Sequence, residues 1–265
     1  MTLGSAPAPH QQSDWNKGEQ LALSVVIPAY NEAGQIVETL RETYRELCLL
    51  EMSFEILVVD DGSIDGTYEE AQRYAQQLSR GNAHAIRVLR YEENGGKGRA
   101  VAYGVRHSSG AWVAFLDADL DLHPRLLGRL IDLQAQTAAD IVIGSKRHPA
   151  SVIDYPLMRR IYSSGYYLLC RLLFGLPVHD TQTGIKLLPG EFCRQIFPAL
   201  HVQRFAFDLE LLVRAHQSGL VIVEAPIEMT FRRRFGRIGL RDIAGITRDT
   251  FSLWWRLQRP SRQQR

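Results

Sequence analysis

The chain has 265 residues, 45% of them hydrophobic, enough for one large core and too apolar for a chain disordered through its bulk. Its formal net charge of +2 hides an asymmetry: residues 231–265 hold ten Arg against Asp242 and Asp249, so a mildly acidic body carries a basic C-terminus. Cys48, Cys170 and Cys193 are odd in number and lack any Cys-x-x-Cys pairing, which argues against a disulfide framework or a zinc site and for a reducing compartment.

Residues 1–20, rich in Ala, Pro, Gln and Ser, contain no apolar h-region and read as a disordered lead-in rather than a signal peptide. From residue 21 apolar runs alternate with helical stretches. The runs are Leu21 to Ile27, Phe54 to Val59, Ala85 to Leu89 and Ala111 to Leu116; the helical stretches are Ala33 to Leu49, Thr67 to Leu78 and Gly98 to His107. This repetition predicts an α/β fold with a mostly parallel, twisted sheet flanked by helices, whose ligands sit beyond the C-terminal strand ends. Those ends carry "PAYNE" (28–32), "DDGSIDGT" (60–67) and "DADLD" (117–121).

After a further strand in "ADIVIGSKR" (139–147) the alternation stops. An amphipathic helix over about 156–174, a turn-rich "HDTQTGIKLLPG" (179–190), a helix near Phe207 to Ser218, strand-like pieces at Leu220 to Glu224 and Ile227 to Phe231, and a basic helix over about 239–258 follow. The most apolar stretch, Ile161 to Leu176, is shorter than the roughly 20 residues a membrane span needs and is broken by Ser163, Ser164, Gly165 and Arg171. It reads as membrane contact, dimer seam or core.

The strand-end residues carry the chemistry. Alternate residues of an extended segment project to one side, so at least two of Asp117, Asp119 and Asp121 converge on one point. Like charges that close call for a cation, and a hard divalent ion, Mg²⁺ or Mn²⁺, suits carboxylate ligands that bridge to phosphates. The bland alternative is an acidic turn in which His123-Pro124 starts the next helix. Asp60 and Asp61 are placed to accept hydrogen bonds from a nucleobase or ribose, or to form a βα turn closed by Asp65 as helix cap. "ENGGKGRA" (93–100) matches neither G-x-G-x-x-G nor G-x-x-x-x-G-K-[ST], and presents Lys97 and Arg99 at a helix N-terminus where an anion is favoured. In the last helix Ile243, Ile246, Thr250, Trp254 and Leu257 share one face, with Arg241, Arg248 and Arg259 around the other and Trp255 nearby, a pattern that fits an anionic bilayer surface or packing on the core. Nucleic acid is not expected, because neither an aromatic platform nor a recognition helix accompanies the charge.

Taken together, "SVVIPAYNE", "VVDDGSIDGT", "NGGKGRAVAYG" and "FLDADLDLHP" resemble the nucleotide-sugar half of the inverting GT-A glycosyltransferases of family 2. "ADIVIGSKR", "VHDTQTGIKLLP" and "RFAFDLELLVRA" are similar to the polyprenyl-phosphate sugar transferases, the dolichyl-phosphate β-glucosyltransferases and dolichyl-phosphate mannose synthases. The match runs from about Ser24 to Arg248. The resemblance implies that Pro28, Tyr30 and Glu32 wall the nucleoside, Asp61 reads the base and Lys97 lies near the nucleotide. It implies Asp117 and Asp119 as metal ligands, Asp119 the more direct, and Asp121 as a further ligand, at a position where mannose synthases carry Gln. Gln182 would lie near the donor sugar, Asp208 and Glu210 beneath sugar and acceptor, and Arg234 and Arg237 at the acceptor phosphate. It further implies a nucleotide-sugar donor, a polyprenyl phosphate acceptor, and an enzyme peripheral on the cytoplasmic face of a membrane, with a membrane-protein partner or a second copy as further company. Glucose from UDP-glucose is the first expectation and mannose from GDP-mannose the second. A soluble transferase with a small-molecule or glycan acceptor, and a non-catalytic nucleotide-sugar binding protein, remain as alternatives. The expected division is a catalytic domain over 21–235, split near 122, followed by a basic helix and tail over 236–265.

Overall fold

A computed structural model describes residues 21–79, 86–153, 157–200, 207–230 and 240–258. The lead-in, Arg234 and Arg237 therefore lie outside the described residues. The first half builds β1 (Leu23–Ala29), α1 (Ile36–Cys48), β2 (Phe54–Asp61), α2 (Thr67–Ser79), β3 (Ile86–Tyr91), α3 (Lys97–Arg106), β4 (Trp112–Phe115) and α4 (Leu126–Thr137). The second half adds β5 (Ile141–Ser145), β6 (Val152–Ile153), α5 (Leu157–Phe174), β7 (Lys186–Pro189), α6 (Gly190–Ile196) with a short 3₁₀ turn, α7 (Phe207–Gln217), β8 (Ile222–Pro226), β9 (Glu228–Met229) and α8 (Leu240–Gln258).

Seven strands form one sheet in the order β3-β2-β1-β4-β7-β5-β8, parallel throughout except for β7, which runs antiparallel to both β4 and β5. Strands covered on both faces read as continuous apolar runs. In β2 all eight residues are buried. The two cores follow from the strand period of two. Val25 and Ile27 face a cluster with Leu40 of α1, Ala71 of α2 and Leu126 of α4, while Val26 between them faces a cluster with Val101 of α3, Leu211 of α7 and Leu253 of α8. β6 and β9 pair in a separate two-stranded sheet. Among the described residues no helix is long and apolar enough to cross a membrane.

Two expectations change. Residues 179–190, read as turn-rich, contain β7, and that strand sits inside the sheet. The segment after β4 is also not extended: β4 ends at Phe115, and the chain turns through residues 118–121 with Leu120 in the left-handed region at φ 57°. Alternation alone therefore does not align the three aspartates. Leu120 is only 2% exposed, so burial of its side chain holds a backbone conformation that costs a non-glycine residue energy.

Candidate active site

Three strand ends and the start of α7 meet around an open pocket of about 310 Å³, at the lower end of the usual size for ligand clefts. Pro28, Tyr30, Glu32, Asp61, Lys97, Asp117, Asp119, Gln182 and Asp208 all line it, nine of the residues singled out from the sequence.

Its rim is a set of interlocked loops. The loop after β1 leaves backbone N–H groups that the loop after β2 accepts: Asn31 N donates to Ser63 Oγ at 2.9 Å, Glu32 N to Thr67 Oγ1 at 2.7 Å and Ala33 N to Asp65 Oδ2 at 3.1 Å. Asp65 also receives Thr67 N at 3.1 Å, the capping contact expected of it. Asp61 organises the glycine-rich turn. Its Oδ1 accepts Tyr91 Oη at 2.5 Å and Gly95 N at 2.7 Å, and its Oδ2 accepts Asn94 Nδ2 at 3.1 Å and Gly96 N at 2.8 Å. These four bonds deliver Lys97 to the first position of α3, over the pocket. Gly62 makes the approach possible: it adopts φ 71°, and a Cβ there would lie 2.6 Å from the carbonyl oxygen of Glu92.

Lysine–aspartate pairs lie at and beneath the pocket floor. Lys97 Nζ lies 2.5 Å from Asp117 Oδ1, Lys186 Nζ lies 2.6 Å from Asp208 Oδ1, and Lys146 Nζ lies 3.3 Å from Asp180 Oδ2. Burial alone would raise the Asp117 carboxyl, but the Lys97 ammonium outweighs it and holds it below the usual range. Lys97 is held above its ordinary value because Asp117 outweighs the burial that would lower it. Asp119 behaves oppositely. Burial and then the charges of Asp117 and Asp121 push its carboxyl up to about 6.

That opposition is what a cation would relieve, and hard carboxylate oxygens suit Mg²⁺ or Mn²⁺. Asp117 and Asp119 thus fit a divalent ion, while Asp121 is not among the lining residues. Among the described residues, the triple whose donor atoms all come within 4.8 Å of one another is Glu42, Glu46 and His123, away from this pocket. Arg45 is already paired with both of those glutamates.

Two sequence assignments need correction. Asp60 was expected to face a nucleobase or ribose, yet it is fully buried, with Oδ2 against Ser63 N at 3.3 Å and Arg90 Nε at 3.3 Å. It braces the loop instead. Glu210 was expected beside Asp208 at the site, but it is 1% exposed and outside the lining, its Oε1 accepting Arg214 Nη2 at 2.8 Å and Nε at 3.0 Å. Residues two apart on a helix point in different directions, so only one of the pair reaches the pocket. Sequence reading missed Lys186, Lys146 and Asp180. A lysine opening an apolar strand, "KLLP", was the available signal for the first.

The loop over 180–184 closes the floor. Asp180 accepts Lys146 N at 2.9 Å, Gln182 N at 3.1 Å and Thr183 Oγ1 at 2.6 Å, which fixes Gln182 at the pocket. A Cβ on Gly184 would stand 1.8 Å from Asp117 Oδ2, so this loop lies directly against the carboxylate.

Comparison with known proteins bears on family and fold. The family model described as glycosyl transferase family 2 matches residues 24–197. A dolichyl-phosphate beta-glucosyltransferase of Dictyostelium discoideum is 32% identical over 226 residues, covering 81% of this chain and 68% of that protein. The protein of the same name from Saccharomyces cerevisiae is 33% identical, covering 79% of this chain and 67% of its own length. The chain thus spans about two thirds of these relatives. Among solved structures, mannosyl-3-phosphoglycerate synthase from Rubrobacter xylanophilus superposes with TM-score 0.69 at 18% identity over 92% of this chain and 77% of that one. Glucosyl-3-phosphoglycerate synthase from Mycobacterium tuberculosis, in complex with Mn²⁺, UDP-glucose and phosphoglyceric acid, superposes with TM-score 0.64 at 20% identity over 91% and 81%. At those identities the likeness is one of fold.

Proposed function

The chain belongs to glycosyl transferase family 2 and has the GT-A fold of a glycosyltransferase, and from that premise we propose that it is a metal-dependent inverting enzyme moving glucose from UDP-glucose onto dolichyl or another polyprenyl phosphate. The observation that carries the reading is the meeting of Tyr30, Asp61, Lys97, Asp117, Asp119, Gln182 and Asp208 in one pocket. The names of the relatives point to the donor sugar and the lipid acceptor.

In this reading Pro28, Tyr30 and Glu32 wall the nucleoside, Asp61 faces the base and Lys97 lies beside the diphosphate. Asp117 and Asp119 would hold the divalent ion, with Asp121, outside the pocket lining, as a further candidate ligand. Such an ion, when bound, offsets negative charge on the leaving diphosphate. Gln182 and Asp208 flank the sugar. A lipid phosphate has a second pKa near ~6 and is anionic at neutral pH, so its oxygen attacks the anomeric carbon without a strong base. The bond to the nucleotide breaks as the new one forms, its electron pair leaves with UDP, and in-line attack inverts the centre. Arg234 and Arg237 are the proposed partners of the acceptor phosphate.

The same reading makes the enzyme peripheral on the cytoplasmic face of a membrane. Exposed Leu168 and Leu172 of α5 and Phe251 and Trp255 of α8, with exposed Arg171, Arg248 and Arg256, support contact with an anionic surface.

The test is sugar transfer into organic-extractable lipid by purified protein with Mn²⁺ or Mg²⁺ and dolichyl phosphate in detergent, offering UDP-glucose, GDP-mannose, UDP-galactose and UDP-N-acetylglucosamine in parallel. Lipid product from UDP-glucose, lost in Asp119→Ala, is expected. Product from GDP-mannose instead overturns the donor assignment, and no lipid product from any donor overturns the acceptor.

A further inference from the structure

Lys186 is among the largest fully buried side chains of the molecule, at 1% exposure. It opens β7, paired across the sheet with Phe115 of β4 on one side and Ile143 of β5 on the other. The antiparallel insertion of β7 thus brings its ammonium under the pocket floor, between the strand that leads to Asp117 and the strand that leads to Lys146. A buried lysine is costly unless its charge is paired and hydrogen-bonded. Here Nζ donates to the carbonyl oxygen of Thr183 at 2.5 Å and to Asp208 Oδ1 at 2.6 Å. The two contacts do different things. The carbonyl belongs to the loop that Asp180 clamps, so it is a fixed anchor; the carboxylate belongs to the pocket lining.

Asp208 needs such a partner. It is 5% exposed, it faces a pocket already holding Asp117 and Asp119, and a nucleoside diphosphate would bring further negative charge to it. We propose that Lys186 is the positioning residue for Asp208: anchored on the Thr183 carbonyl, it holds the Asp208 carboxylate aimed at the sugar, and it acts on turnover through that carboxylate alone. This rests on the reading of the pocket as a glycosyl-transfer site. Lys186 itself touches no substrate. Its removal should therefore change the rate of the bound complex rather than the binding of the nucleotide sugar.

The experiment is a double-mutant cycle on the full chain with Lys186→Met, Asp208→Asn and the pair, reading kcat and the KM for UDP-glucose in the lipid-transfer assay. The proposal predicts that Lys186→Met lowers kcat by about a hundredfold, with KM changed by less than about threefold. In the Asp208→Asn background the same substitution should change kcat by less than about threefold, because the group it acts through is gone. An equal loss in both backgrounds overturns the proposal, as does a rise in KM that accounts for the effect. Lys186→Met alone leaves a buried carboxylate without its partner and tends to unfold. In that event the comparison of Asp208→Asn with the double variant decides: equal kcat supports the proposal, and further loss or failure to fold overturns it by assigning Lys186 to stability of the loop. Glucose transfer from UDP-glucose by the wild-type chain separates the two: its absence is a failure of the functional reading, whereas in its presence the cycle tests Lys186 alone.

Discussion

Single residues show where charge is tolerated and why. Glu55, buried in β2, accepts Ser24 Oγ at 2.7 Å, Ser109 N at 2.7 Å and Ser109 Oγ at 2.8 Å on one oxygen and Arg87 Nη1 at 3.2 Å on the other. Burial alone would raise its carboxyl, but these donors outweigh burial and hold it below its ordinary 4.5. A depressed carboxyl stabilises the fold above its unfolded value, and that stability is lost as pH falls through the folded value. Wild-type stability should therefore drop as pH falls below about 4.5. Glu55→Gln, which turns an N–H₂ group on Arg87, should cost about 1–3 kcal/mol at pH 7 and lose this part of the acid dependence. Urea titrations at pH 7 and pH 4 measure both, and an unchanged midpoint for the variant at pH 7 would contradict the assignment. Asp60 shows the other extreme. Its Oδ1 is buried without a hydrogen-bond partner, and burial raises its carboxyl.

At the scale of elements, α5 and α8 pack together, with Tyr166 Oη 3.2 Å from Thr250 Oγ1, and leave other faces bare. Thr250 and Leu253 of α8 are buried, whereas Phe251 and Trp255 one step round the helix are exposed, as is Leu172 of α5 at 75%. If these faces meet a bilayer, Leu172→Ser with Trp255→Ser should weaken sedimentation with phosphatidylserine-containing vesicles by about tenfold while leaving the fold intact. Unchanged vesicle binding would remove both helices from the membrane account. Elements with a strong period were legible in the sequence. β2 extends two residues beyond its apolar run because Asp60 and Asp61 stay in register with β3, and α7 begins where expected. What was not legible depends on tertiary context. Nothing local in "TQTGIKLLPG" says that four of its residues run antiparallel between two parallel strands, and so nothing in the sequence marks Lys186 as buried. The adjacent pairs were also ambiguous: sequence could not say that Asp61 rather than Asp60, or Asp208 rather than Glu210, reaches the pocket, because strand pleat and helix rotation decide that.

Across the described residues the two halves of the chain contribute differently to the pocket. The β1–β4 half supplies the proposed nucleoside wall, the glycine-rich turn and the first aspartates, and the second half supplies Gln182 and Asp208, with Lys186 buried against Asp208. The two meet where β7 enters beside β4. The pocket lining carries Glu32, Asp61, Asp117, Asp119 and Asp208 against Lys97, so in the proposed reaction an anionic donor and an anionic acceptor would need a bound cation to meet there. Direct in-line transfer between them is the central claim, and the anomeric configuration of the product tests it most directly. Proton NMR of the lipid made from UDP-α-glucose and dolichyl phosphate should show a β-linked glucosyl phosphate. An α-linked product, or free glucose and UDP with no lipid-linked sugar, would contradict the account.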